Sequence, residues 1–77
     1  MEEKMEVIKL SEAVKLNEQG SIYMEAENYE EAIKCFEKAR EIDPKAIDAY
    51  VNLGIAYASQ DNFDKAYEVF QEWFLEK

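Results

Sequence analysis

The sequence predicts an all-α fold built from helix hairpins. Two glycines and one proline in 77 residues leave few places to break a helix. Apolar residues recur at three- and four-residue steps, one face of a helix. The chain also matches itself at an offset of about 34 residues, with Gly20 falling on Gly54, Tyr23 on Tyr57, Asn28 on Asn62, Tyr29 on Phe63, Ala32 on Ala66 and Phe36 on Phe70. The matches fall at the small and aromatic positions that helix packing feels most.

Taken in order, residues 1–12 lie outside the repeat. Met5 and Ile8 share a stripe with Leu16, and Val7, Leu10 and Val14 share another. The spacing predicts one helix over about residues 3–26, with a fresh start capped by Ser11, or a partial helix left by a decayed upstream repeat, as the alternatives. Two units follow, 13–46 and 47–77. In the first, Asn28 is placed to cap a helix with the stripe Tyr29, Ala32, Ile33, Phe36, Ala39 and Ile42. Asp43-Pro44 joins the units, with Asp43 expected as a cap and Pro44 at the first helical position, where its missing N–H costs nothing. In the second, Tyr50, Leu53, Gly54 and Tyr57 share one face. Residues 59–62 interrupt, Asn62 caps, and Phe63, Ala66, Tyr67, Phe70, Trp73 and Phe74 form the next stripe. Glycine inside a helix costs roughly 0.5–1 kcal/mol against alanine, so Gly20 and Gly54 predict close approach of a neighbouring helix. Ala32 and Ala66 would sit across from them, and Tyr23, Tyr57, Phe36 and Phe70 would fill the space on either side.

These residues resemble the tetratricopeptide repeat (TPR) family, a helix–turn–helix unit with an aromatic, a Leu-Gly pair, a Tyr, and then Ala, Phe and Pro at set spacings. The first unit reads Leu16, Gln19-Gly20, Tyr23, Ala32, Phe36, Ala39 and Pro44. The second reads Tyr50, Leu53-Gly54, Tyr57, Ala66 and Phe70. The resemblance implies antiparallel hairpins stacked as a short right-handed solenoid. The chain departs from the pattern at Gln19, where an aliphatic residue is usual, at Glu27 and Asp61, which replace the turn glycine, and at Trp73, which replaces a small residue. The second unit also stops short of a closing proline.

Composition excludes several functions. Eighteen acids against nine bases give a formal charge of −9, so neither nucleic acid nor an anionic membrane surface is expected as a partner. A partner chosen by charge would be basic. With no histidine and one cysteine, no cofactor, metal centre or enzyme chemistry is expected. Cys35 reads as a packing residue, and Ser11, Ser21 and Ser59 as cap, surface and turn. The carboxylate pairs Glu25/Glu27, Glu30/Glu31 and Asp61/Asp64 sit at turns and helix starts, where acids favour the helix dipole. The single cysteine and the acidic start Met1-Glu2-Glu3-Lys4 suggest a cytoplasmic protein without a leader.

By the resemblance, a protein or peptide partner would lie on the concave face made by the first helix of each unit. Position by position this implies Val14, Asn17, Ser21, Met24 and Glu25, then Asp48, Val51, Asn52, Ile55 and Ser59. The family's clamp for C-terminal carboxylates is not expected, because only Asn52 matches it, with Asn17 and Ser21 standing where its Lys and Asn would be. Two units with no polar cap also predict uncovered ends. Val7, Leu10, Trp73, Phe74 and Leu75 are the candidate contacts of a homo-oligomer, swapped or not; an excised or engineered piece of a longer array is a third reading.

Overall fold

The computed structural model describes residues 2–75, with side chains from Lys4. Met1, Glu76 and Lys77, the outer limits of the expected units, lie outside the described residues. Four helices follow one another: α1 (Glu2–Glu25), α2 (Tyr29–Ile42), α3 (Ile47–Ser59) and α4 (Phe63–Leu75). Helix α1 runs without a break from Glu2 to Glu25, and Ser11 lies inside it rather than at a fresh start. Helix α1 outruns α2 by ten residues, so its first turns project past the hairpin. In chain order each helix packs on the next, and α3 also touches α1. That arrangement sets α1 beside α3 and gives a thin body, 43 × 30 × 12 Å across the Cα positions.

The two hairpins turn by the same device. Among the described residues, Glu27 (φ 59°) and Asp61 (φ 60°) are the non-glycine residues with left-handed backbone. At the first turn Asn28 N–H donates to Tyr23 O (2.8 Å) and Glu27 N–H to Met24 O (3.0 Å). At the second, Asn62 N–H donates to Tyr57 O (2.9 Å) and Asp61 N–H to Ala58 O (2.9 Å). This is the Schellman closure of a helix C-terminus, which satisfies carbonyls the helix leaves open. Asn28 and Asn62 then begin the next helix. Asn62 Oδ1 accepts from Lys65 N–H at 3.4 Å, but Asn28, expected to cap in the same way, makes no side-chain cap bond.

The join between the hairpins departs from expectation. Pro44 is not the first residue of a helix, and Asp43 ends α2 rather than capping α3. Asp43 O instead accepts from Ala46 N–H (3.1 Å), closing a turn around Pro44. Tyr50 Oη donates to the Pro44 carbonyl (3.2 Å), so a side-chain contact from α3 holds that turn, and α3 starts at Ile47 rather than at Pro44 as the sequence suggests.

The core joins the hairpins. Ala32, Ile33 and Phe36 of α2, Tyr50, Leu53 and Ala56 of α3, and Val69 of α4 form one buried cluster, with Tyr23, Met24, Tyr57 and Trp73 packed against it. Gly20 and Gly54 are where the chain needs them. A Cβ at Gly20 would lie 2.8 Å from Phe36 Cδ1 and Cζ, and one at Gly54 would lie 2.8 Å from Phe70 Cε2. The aromatic ring itself, rather than the alanine expected across from it, fills the space that glycine leaves. On α4 the buried residues are Ala66 and Val69. Phe63, Tyr67, Phe70 and Phe74 of the expected stripe are exposed instead, because none of the described helices covers that side.

Candidate binding faces

Three places on the surface bear on function: the face of α1 and α3, the projecting start of α1, and the open flank of α4. On the first face, Val14, Ser21 and Glu25 of α1 and Asp48, Val51, Ile55 and Ser59 of α3 are exposed, and Asn17 and Asn52 are half-buried. Ser21 Oγ donates to Asn17 O (3.0 Å) and Ser59 Oγ to Ile55 O (2.9 Å), so both hydroxyls are turned onto their own helices. Asn17 Oδ1 is enclosed without a hydrogen-bond partner. Met24 does not belong to a free surface. It packs against the core, because it follows Tyr23 into the side of α1 that meets the rest of the protein. One residue was missed: Glu18 is exposed, four residues after Val14 and three before Ser21. The same 34-residue offset that pairs Gly20 with Gly54 pairs Glu18 with Asn52, and that was its signal.

With Glu18 added, the face carries three carboxylates (Glu18, Glu25 and Asp48) among apolar Val14 and Ile55, and no basic residue. Val51 stands at its border. It also lines a cleft of about 410 Å³ with Ile47, Tyr50, Phe70, Trp73 and Phe74, on the side of α3 away from α1.

The residues expected at an oligomer interface fall in two separate places. Val7 and Leu10 are exposed on the projecting part of α1, while Phe74 and Leu75 are exposed at the end of α4; α1 and α4 do not touch. Trp73 is not a free contact. Its ring lies 5.2 Å from that of Tyr50, tilted by 51°. Arg40 reaches over the same Tyr50 ring at 5.8 Å and pairs with Glu72 Oε2 at 3.4 Å, so α2, α3 and α4 are tied together there.

Cys35 is partly buried between the first two helices. Loss of solvent raises its thiol pKa, Glu31 raises it further, and Lys38 opposes them. Among the described residues, no cluster of His, Cys, Asp or Glu is placed to hold a metal ion, and no helix is long and apolar enough to cross a membrane.

Two helix hairpins at a 34-residue interval, each with an aromatic ring seated on a helix glycine, define a helical repeat protein. Residues 20–61, more than half of the chain, match the family described as TPR repeat, and the chain belongs to that family. It is also 44% identical over 52 residues to the transcription activator GutR of Bacillus subtilis (strain 168); the match covers 61% of this chain and 6% of the activator, so the chain spans only a small part of that relative's length. TPR repeats generally mediate protein–protein interaction on a non-enzymatic scaffold.

Proposed function

We propose that the chain is a non-enzymatic binding module that holds an extended, basic peptide segment along the face of α1 and α3. The observation that carries this reading is the pairing of exposed Val14 and Ile55 with Glu18, Glu25 and Asp48 on a face without a basic residue. Apolar side chains there would contribute affinity by burial, and the carboxylates would select cationic partners and speed their approach. A segment of this kind inside a much longer transcription activator fits a module that recruits another protein, while the charge of −9 turns the chain itself away from DNA.

The test is selection from a random-peptide display library, followed by fluorescence anisotropy with the enriched peptides. Enrichment of sequences with Lys or Arg beside aliphatic residues is expected. Their affinity should fall about tenfold or more with Ile55→Glu, and should weaken as salt rises. Peptides of no particular charge, or binding that ignores Ile55→Glu while helicity is intact, would refute this assignment of the face.

A further inference from the structure

The flank of α4 has a counterpart inside the same molecule whose covering is visible. At the 34-residue offset, Tyr29, Ile33, Phe36 and Arg40 of α2 correspond to Phe63, Tyr67, Phe70 and Phe74 of α4. On α2 the middle of this stripe is buried, Ile33 being 9% and Phe36 1% exposed in the cluster shared with α3, and Tyr29 and Arg40 at its ends are half-buried. On α4 none of the described residues covers it, and the four rings are 63%, 65%, 37% and 72% exposed. The fold thus repeats a surface made for a helix and leaves the second copy of it open. We propose that a second copy of this chain covers it, the two α4 helices packing antiparallel about a two-fold axis.

Three observations select that occupant. The first excludes head-to-tail stacking, in which α1 of another copy would take the place α3 takes on α2. Ala49 and Leu53 of α3 are 0% exposed there, and the corresponding residues of α1 are Lys15 and Gln19. Burying a lysine and an amide without partners against aromatic rings is strongly unfavourable, so the N-terminal flank cannot serve as the mate.

The second is self-complementarity. The rings are spaced four, three and four residues apart, a pattern that reads the same in both directions. Antiparallel pairing sets Phe63 of one copy level with Phe74 of the other, and Tyr67 level with Phe70. Lys65 is turned to the Tyr57 ring (5.7 Å) and Glu72 to Arg40 (3.4 Å). Exposed Asp64 and Glu68, each one residue past a ring and so about 100° round the helix from it, flank the stripe rather than interrupt it. An isologous contact of this kind closes on itself and does not propagate.

The third is size. At about 200 Å² per ring, the exposed fractions of the four aromatics amount to roughly 500 Å². Exposed Ile47 and Val51 share a cleft with Phe70 and Phe74 and extend the patch toward the roughly 800 Å² per partner of a stable interface.

The inference does not depend on the peptide-binding face, and its salt dependence has the opposite sign. Two copies of charge −9 repel, so screening should tighten an apolar dimer, whereas it weakens a basic peptide's binding. The experiment is sedimentation equilibrium across a wide dilution, at low and high salt, on the full chain and on Tyr67→Lys and Phe74→Lys. Both positions are too exposed for the fold to rely on them, and circular dichroism checks each; Val7→Lys reports on the projecting start of α1. A species of twice 9.0 kDa is expected, tighter at high salt, and at least about tenfold weaker in both α4 variants but not in Val7→Lys. A monomer at every concentration would assign the stripe to another occupant, such as a further repeat, and overturn the proposal. So would a dimer that only Val7→Lys dissociates, or masses that keep growing with concentration. If one α4 variant loses helicity, the other decides, and the salt response of the unaltered chain decides without either.

Discussion

The ring of Phe36 sits on the backbone of Gly20, so close that a single added methyl would overlap it. Phe70 sits on Gly54 in the same way, but Phe36 is sealed under α3 and Phe70 borders open solvent. The two pairs therefore answer the same substitution differently. Alanine favours a helix by roughly 0.5–1 kcal/mol over glycine, while overpacking a closed core costs about 1–3 kcal/mol. Gly20→Ala should lower stability in urea unfolding by about 1–2 kcal/mol. Gly54→Ala should come out near neutral in the monomer, because Phe70 has room to swing away. The reverse order would mean that Phe36 is not held as tightly as its burial implies.

The left-handed residues give a second comparison. Glu27 and Asp61 occupy the position after a helix where glycine is most common. Left-handed backbone costs an L-residue about 1–2 kcal/mol, and aspartate tolerates it better than a longer side chain. Glu27→Gly should raise the melting midpoint by the larger step, and Asp61→Gly by a smaller one. Thermal unfolding followed by circular dichroism reads both. A loss of stability in either would show that the carboxylate makes a contact worth more than the strain.

Most of the fold was legible because hairpin packing writes itself into residue type. A glycine that must admit a ring, an alanine beside it and a phenylalanine to fill the gap recur at a fixed offset, and the resemblance to a known repeat followed from them. The join was less legible. Pro44 favours a helix start locally, but the hydrogen bond from Tyr50 to its carbonyl belongs to tertiary structure. Periodicity likewise placed Phe63, Tyr67, Phe70 and Phe74 on one side of α4 without saying whether a helix covers that side, and it passed over Val69, whose face turns inward with Ala66 and Trp73. The candidate site suffered from the same limit. Met24 was assigned to the open face by position, and only packing shows it facing the core.

Cys35 offers a test by pH. Its thiol pKa is raised, first by burial and then by Glu31, so the folded state favours the neutral form. Between the ordinary thiol pKa and the raised one, the folded chain holds a proton that the unfolded chain releases. The stability from this group is thus present at neutral pH and is lost as pH rises through that interval. Alkylation should be slower than for a free cysteine at mildly alkaline pH, and should accelerate in denaturant. Equal rates folded and unfolded would place Cys35 at the open surface.

Asn17 sets stability against function. Its Oδ1 is enclosed without a hydrogen-bond partner, an arrangement that costs about 1–3 kcal/mol. The corresponding position in the second hairpin holds Val51, so an apolar residue is compatible with the same place in the repeat. Leucine keeps the helix and removes the buried acceptor, and Asn17→Leu should stabilise the chain by roughly 1 kcal/mol in urea unfolding. An unfavourable amide is worth keeping where it contacts a ligand. If α1 and α3 hold a peptide, the same variant should bind the display-selected peptides more weakly while being the more stable protein. A variant both more stable and equally good at binding would leave Asn17 outside the contact and confine the peptide to Ile55 and its neighbours.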